Sequence, residues 1–450
     1  MAVDGVKGKC IDQSFHLLNR EDQGRLGVYA YHINERGATT DGTGMEKKDV
    51  MDLQYSLKGI KICRVATVRF AIVSQLRAQI DYLKKIDMNI VLVSSQGKEL
   101  SELKLDNNLR YEAVEIPRSL HPWKDFLAFV ELIKIFRKHK FDIVHSTTPK
   151  AGLLTALAAF VVRIPIRLHT FTGQRWVTLK GFMRWASRIS DRVIGILNTR
   201  CYADSGSQCE FLTKEGMINS DKIGVIAHGS LAGVDLRRFD PNRWSLSAKK
   251  EIRRSLAISD FSKNIVFIGR IARDKGVLEL ISAFQELLRL DYNVNLLLIG
   301  PHDRNCGGKD FFVDMKNDQN IRFLGYRDSP EQYLAISDVL CLPSYREGFG
   351  TAVLDAAAMS VPTVGTRING LIDAVEDGKT GILVPPRDDI ALLNALKKIL
   401  NDPRLMTQMG MAARQRCIDK FDSTLVNKAL AEEYVCLLKR YRITDSTFTQ

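Results

Sequence analysis

The sequence predicts an α/β protein built from two doubly wound parallel sheets that face each other across a cleft. Three observations carry this. Short apolar segments alternate with helical patterns of 10–15 residues, the rhythm of βαβ units. The apolar segments show no inside–outside alternation, as in strands covered on both faces. The rhythm stops near Asp235 and restarts near Lys263, and 450 residues are too many for one ordinary core.

The elements follow in order. Residues 1–57 are polar, contain "ATTDGTG" and have weak periodicity. They read as a flexible extension, or as sequence upstream of a later start such as Met45 or Met51. From Lys58 to residue 240 the first Rossmann-like domain carries the strands "IKICRVATV", "NIVLVSS", "FDIVHS", "PIRLHTF" and "RVIGIL". Helices are expected over Ile72–Ile86 and "GLLTALAAFVV". Residues 241–262 read as an interdomain linker region with a basic helix. The second Rossmann-like domain, 263–420, has the strands "NIVFIG", "VNLLLIG", "IRFLG", "DVLCLP", "VPTVGT" and "GILVP", with a helix at Val277–Leu290. Helical periodicity runs from Ile390 to Tyr441, and residues 421–450 form its last helix and tail.

Bulk properties narrow the function. Net charge is +13, which suits nucleic acid, an anionic membrane or phosphorylated small molecules. No reader motif or interleaved aromatic pattern supports nucleic acid. Eight scattered cysteines, with no CxxC and no Cys/His cluster, point to reduced thiols in the cytoplasm and to no metal site. No apolar run reaches the length of a membrane span, and no charged-then-apolar leader opens the chain. Between Lys150 and Arg200 there are nine basic residues and one acid, Asp191. Lys180, Arg184 and Arg188 form one helical stripe, with Phe182, Met183, Trp185 and Ile189 on other faces. Such a helix suits peripheral contact with an anionic membrane, or packs on the sheet with its cations in solvent.

Two loops in the second domain carry the chemistry. "IVFIGRIARDKGVLEL" ends a strand at Gly269 and leads into a helix, with Arg270 and Lys275 five apart. Two cations on one strand-to-helix loop at a helix N-terminus grip a diphosphate. "SYREGFG" follows the strand "DVLCLP". Gly348 and Gly350 let backbone approach a ligand closely. The amides of Phe349, Gly350 and Thr351 open the next helix toward an anion. Glu347 beside phosphates would be repelled, so it belongs on sugar hydroxyls. Asp355, eight residues on, is placed to accept from vicinal hydroxyls such as those of a ribose.

These motifs, "GR-x4-KG" followed by "EGFG-x4-D", resemble the retaining glycosyltransferases of family 4, whose fold is the two-domain GT-B. "DIVHSTTPKAG" (142–152), "ADSGSQ" (203–208), "GVDLRRFDP" (233–241) and "DGKTGILVPPRD" (377–388) agree with it. The resemblance spans about Lys58 to Tyr441 and is nearest to enzymes of bacterial surface polysaccharides. It implies transfer of a hexose or N-acetylhexosamine from a nucleotide-diphosphate sugar, UDP by preference, to a lipid-linked or saccharide acceptor. It implies no metal or other cofactor, and a last helix that crosses back to the first domain. By the same resemblance Arg270 and Lys275 stabilise the leaving diphosphate, Glu347 holds the sugar and Asp355 the ribose.

The chain departs from the family pattern in places. The second acid of the Glu–x7–Glu hallmark is Asp355. No glycine-rich loop follows the first strand, where Arg69 stands instead. His145-Ser146-Thr147 replaces His–x–His, and Thr172 stands where a cleft histidine is usual. Arg69, His145, Lys150, His169 and Thr172 are therefore the acceptor-side residues to locate. A nucleotide-sugar epimerase of the same fold and a non-catalytic subunit of a polysaccharide assembly complex are the alternative functions.

Overall fold

The computed structural model describes residues 47–96, 108–303, 306 and 318–447. The first sheet has seven strands: β1 (Lys61–Val68), β2 (Asn89–Ser95), β3 (Leu109–Ala113), β4 (Ile143–Thr147), β5 (Ile166–Phe171), β6 (Arg200–Ala203) and β7 (Ile223–Val225). All pair in parallel in the order β3-β2-β1-β4-β5-β6-β7. The second sheet has six: β8 (Lys263–Ile268), β9 (Val294–Ile299), β10 (Ile321–Gly325), β11 (Val339–Leu342), β12 (Thr363–Thr366) and β13 (Gly381–Val384). Its order is β10-β9-β8-β11-β12-β13, again parallel. Strand order reverses between β1 and β4 and between β8 and β11. Loops leaving the carboxyl ends of those four strands therefore border the crevices where open α/β sheets bind ligands.

The helices used below are α1 (Lys47–Leu57), α2 (Arg77–Lys85), α3 (Pro122–His139), α4 (Pro149–Val162), α5 (Gly181–Leu197), α6 (Gly206–Lys214), α7 (Leu246–Ser255) and α8 (Val277–Arg289). They continue with α9 (Glu331–Leu334), α10 (Thr351–Ala358), α11 (Leu371–Ala374), α12 (Asp389–Leu400), α13 (Pro403–Lys420) and α14 (Ser423–Thr447).

Two sequence expectations are corrected. Residues 47–57 are not part of a flexible extension: they form α1, which packs on α14. Leu53 and Leu57 enter the first domain's core, and burying them stabilises a helix whose own polar face signals little. Residues 1–46 lie outside the described residues. "RVIGIL" is not a strand but the second half of α5. Its apolar side faces the core through Ile194 and Gly195, and the sheet position is taken by Arg200–Ala203. Within residues 241–262, α7 packs on α9, and Arg253 donates to Ser259 O at 2.8 Å and Ile336 O at 3.4 Å.

The first domain's core lies on both faces of its sheet. Ile62, Ile80, Leu83 and Leu430 fill one side, and Val65, Leu132, Phe136 and Leu154 the other. The first side is closed by α14, which comes from the end of the chain. A buried polar chain secures it. His145 Nδ1 meets Tyr434 Oη at 2.7 Å, His145 Nε2 meets Thr170 Oγ1 at 2.7 Å, and Tyr202 donates to Glu433 at 2.9 Å. Arg64, wholly buried in β1, donates to Tyr434 Oη at 3.5 Å. The chain thus passes between the sheets twice, near Val234 and near Asp422, and the two passages bond to each other. Val234 N donates to Phe421 O at 2.8 Å and Ser423 N to Val234 O at 2.9 Å.

Opposite this paired hinge the domains touch backbone to backbone. A Cβ on Gly348, in the loop after β11, would lie 2.7 Å from the carbonyl carbon of Thr172, in the loop after β5. The same seam carries a cross-domain cap: Asp373 accepts from Ser207 N at 3.3 Å and from its hydroxyl, and Gly370 N donates to Ser207 Oγ at 2.9 Å.

Truncating Leu57 tests whether α1 belongs to the domain. Leu57→Ala is expected to cost about 2–5 kcal/mol of unfolding free energy in denaturant titration; a change within error would mean α1 contributes nothing to the core.

Candidate active site in the interdomain cleft

The loop after β8 is shaped by one close approach. Gly276 has φ +67°, and a Cβ there would sit 1.9 Å from Pro343 O at the end of β11. The β8 loop is thereby pressed onto the β11 loop. Lys275, just before this turn, donates to Glu347 Oε1 at 2.6 Å, and Ser344 Oγ donates to the same oxygen at 2.7 Å. Both side chains are mostly enclosed, at 19% and 12% exposure. No bond from the described residues reaches Glu347 Oε2, so that oxygen is open to a hydroxyl donor.

Arg270 does not share Lys275's partner. Its guanidinium donates to Asp274 at 2.9 and 3.0 Å and to Asp303 at 3.0 Å. Two cations on one loop repel, and each takes the nearest carboxylate. Asp274 also accepts from Arg346 Nη2 at 2.9 Å, and its carbonyl accepts from Tyr345 N at 3.0 Å. Asp274 is thus the pivot that holds Arg270 and Arg346 side by side. Asp274, Ser344 and Arg346 were missed in the sequence. The four-residue spacing from Arg270 to Asp274 was the available signal for the first.

Gly348 and Gly350 let the chain turn into α10, whose first residue is Thr351. Phe349 points away from the crevice. Its buried ring packs edge-on against Phe421 with centroids 5.1 Å apart, so only its backbone belongs to the loop's ligand side. Gly269 ends β8, and its amide is tied to Ile299 O at 2.9 Å. Asp355 lies in the second turn of α10, away from the Lys275–Glu347 pair. Burial pushes its carboxyl up to about 7, with Arg238 pulling down and Glu331 pushing up. Arg238 is itself bound to Glu331 at 3.0 Å.

On the first-domain side, two of the sequence candidates are corrected. His145 and His169 are wholly enclosed and do not face the cleft. His145 anchors α14, as above. His169 Nδ1 meets Ser146 Oγ at 2.9 Å, and its ring fills the space a Cβ on Gly152 would need. Burial lowers both imidazole pKa values, that of His169 to about 3, so both rings are neutral. Arg69 is buried at the end of β1 with its guanidinium 4.8 Å above the Tyr111 ring. Lys150 pairs with Asp125 at 2.7 Å, joining the first turns of α3 and α4 at the cleft edge. Thr172 contributes backbone to the seam with Gly348. Beside it lies a carboxyl the sequence did not single out: Asp204, wholly buried, with Oδ1 unpartnered and its pKa pushed up by burial to about 8. No group of His, Cys, Asp and Glu side chains suited to a metal ion occurs among the described residues.

The arrangement offers cations, helix-opening amides and one half-free carboxylate at the meeting of two switch points. Such a set is suited to a phosphorylated sugar. Residues 248–416 match the family model of the group 1 glycosyl transferases, and residues 74–199 that of glycosyltransferase family 4. The chain is 31% identical over 386 residues to the capsular polysaccharide biosynthesis glycosyltransferase CapM of Staphylococcus aureus, covering 85% of this chain and 99% of that one. It is 25% identical over 357 residues to an Escherichia coli UDP-Gal:alpha-D-GlcNAc-diphosphoundecaprenol alpha-1,3-galactosyltransferase, covering 76% and 88%. In fold it is similar to a glycosyltransferase of Rickettsia africae, at 21% identity and a TM-score of 0.66, covering 85% of this chain and 99% of that one. It is also similar to Anabaena HepE, solved with UDP and glucose, at 18% identity and a TM-score of 0.67, covering 83% and 99%. The chain therefore belongs to the family 4 glycosyltransferases of GT-B fold and is a transferase of the bacterial surface-polysaccharide type.

Proposed function

We propose that the protein transfers a hexosyl or N-acetylhexosaminyl group, with retention, from a uridine-diphosphate sugar to a lipid-linked or saccharide acceptor, without a metal. The observation that carries this is the Lys275–Glu347 pair, 2.6 Å apart at the β8/β11 switch point with Arg270 on the same loop. In this reading the donor diphosphate lies against Arg270, Lys275 and the amides of Gly348 to Thr351. Glu347 Oε2 accepts from the sugar hydroxyls and Asp355 from the ribose. The bond from the anomeric carbon to the phosphate oxygen breaks, and the acceptor oxygen bonds to that carbon on the same face. The acceptor's proton passes to the departing diphosphate, whose growing charge the two cations stabilise. The names of two relatives support the substrate classes: one uses UDP-galactose and a diphosphoundecaprenol-linked sugar, and the fold neighbour HepE holds UDP and glucose.

A lipid-linked acceptor gives meaning to the surface of α3 and α5. Both helices begin at the carboxyl ends of strands, on the cleft side of the sheet. Their exposed residues include Trp123 and Phe126, stacked at 6.0 Å, and Phe182 and Trp185, stacked at 5.7 Å. Arg184 and Arg192 are exposed beside them. The one acid of the 150–200 stretch, Asp191, is buried against Trp176 Nε1 at 2.8 Å. The expected basic stripe is altered, because Arg188 turns inward to Glu215 at 2.6 Å. The surface then reads as aromatic anchors flanked by cations, suited to the anionic inner face of a membrane. No described helix is long and apolar enough to cross one.

Three outcomes are expected. Donor turnover by Lys275→Ala and by Glu347→Gln falls by about a hundredfold or more; wild-type turnover in both variants, measured as nucleotide release with membrane extract as acceptor, would refute the site. Binding of UDP-glucose, which has no group titrating near neutrality, tightens as pH rises through 7, because ionised Asp355 is the better acceptor. The change from about pH 6 to pH 8 is about tenfold by calorimetry, and Asp355→Asn flattens it; a pH-independent wild type removes the ribose assignment. Finally, the wild type floats with vesicles containing anionic lipid, and the double variant Phe182→Ser, Trp185→Ser stays in the soluble fraction. Equal flotation of both would exclude this face.

A further inference from the structure

One cation at the cleft is not absorbed by this account. Arg175 follows the loop after β5, on a short 3-10 turn at Arg175–Val177. Its neighbour Trp176 fixes that turn: the indole is buried, donates to Asp191 at 2.8 Å and stacks on Phe211 with centroids 5.1 Å apart. Arg175 itself is exposed. It stands two residues after Gly173, and Arg346 stands two residues before Gly348. A Cβ on Gly173 would be 3.1 Å from Gly348 N, so the two loops meet with no side chain between them. Arg175 and Arg346 thus flank one backbone contact from opposite domains.

The charges there do not balance. Arg270 and Arg346 share Asp274, and Arg270 also bonds Asp303. Arg346 Nε is buried with no acceptor. Glu347, the next carboxylate, is already bonded by Lys275 and Ser344. Among the described residues, Arg175 brings a third guanidinium beside Asp274 and Asp303. Partial burial lowers its pKa, as do the fields of Arg346 and Arg270, and Asp274 raises it. Like charges held close from two domains repel, and an anion between them relieves that repulsion.

We infer that Arg175 is a substrate-contacting residue supplied by the first domain: it grips the diphosphate of the nucleotide donor from the side opposite Arg270 and Arg346. The inference rests on the donor site proposed above. It makes the diphosphate the counter-ion that joins the domains, so that the site is complete only when the cleft is closed. A diphosphate could also come from a lipid-linked acceptor, and the test separates the two sources.

The experiment is calorimetric titration of the wild type, Arg175→Gln and Arg175→Lys with UDP, inorganic diphosphate and uridine, with thermal melting as the folding control. Loss of one charge-assisted contact weakens UDP and diphosphate about tenfold or more in Arg175→Gln. Lysine restores part of it, and uridine binding and melting stay unchanged. Unchanged UDP affinity with a raised KM for the lipid-linked acceptor would overturn the inference and give Arg175 to the acceptor. An equal loss for uridine would overturn it as a structural effect. A wild type that binds no UDP would remove the donor reading itself, whereas wild-type binding matched by Arg175→Gln removes this inference alone.

Discussion

The cleft depends on a place where side chains are forbidden. Gly173 and Gly348 meet backbone to backbone, and a Cβ on Gly348 would be within 2.7 Å of both Thr172 and Asp204. Everything at the site is measured from that contact. Glu347 precedes it by one residue and Arg346 by two; the amides that open α10 follow it. On the other side, Arg175 stands two residues beyond Gly173, and Asp204 is sealed beneath. The seam holds because the domains are tied elsewhere, by the paired passages at Val234 and Phe421 and by α14 lying on the first domain. Interiors pack too closely to absorb a misfit of a methyl group at such a point.

The electrostatics of the free site follow from the same crowding. Lys275 is neutralised by Glu347, and Arg270 by Asp274 and Asp303. These internal pairs hold five charged side chains in place. In the proposed reading an arriving diphosphate exchanges carboxylate partners for phosphate oxygens at side chains already held in place, which is what preorganisation requires. Pairing on Glu347 Oε1 alone holds the carboxylate while leaving Oε2 to a hydroxyl. The irregular second acid, Asp355, is handled differently. It sits near Arg238, Glu331 and Cys417 rather than in the Lys275 pair, and burial raises its pKa. In the proposed reading this carboxyl takes the ribose hydroxyls.

Most of the fold was legible because parallel strands buried on both faces write themselves as apolar runs. All six strands of the second sheet, and four in the first, lie where those runs predict them. "RVIGIL" misled because a helix half buried at Ile194 and Gly195 gives the same six letters as a strand. β3, "LRYEA", was invisible, being an edge strand with one fully buried position. The loops "GRIARDKG" and "SYREGFG" were legible as a pair because their chemistry is local. What joins them was not. Asp274 bridging Arg270 and Arg346, and Ser207 capped by Asp373, are contacts between distant segments. His145 read as a cleft residue because strand ends face the cleft, yet it is the middle residue of β4, where the side chain meets whatever covers the sheet. Here that is Tyr434, which lies 289 residues away.

The same limit explains α5. Its sequence has cations at one helical spacing and aromatics at another, and periodicity cannot say which set faces out. Two buried partners decide it. Asp191 is fixed by the Trp176 indole, and Arg188 lies 4.7 Å above that ring while bonded to Glu215. With those residues inward, Phe182, Trp185, Ile189 and Ile196 must face outward, all exposed. With Asp191 and Arg188 turned inward, α5 presents to solvent an apolar surface flanked by Arg184 and Arg192. In the proposed reading that surface meets another apolar phase. Since α5 and α3 both start at the carboxyl edge of the sheet, that phase would meet the protein on the side where the cleft opens. A lipid-linked acceptor could then reach the site without leaving its membrane.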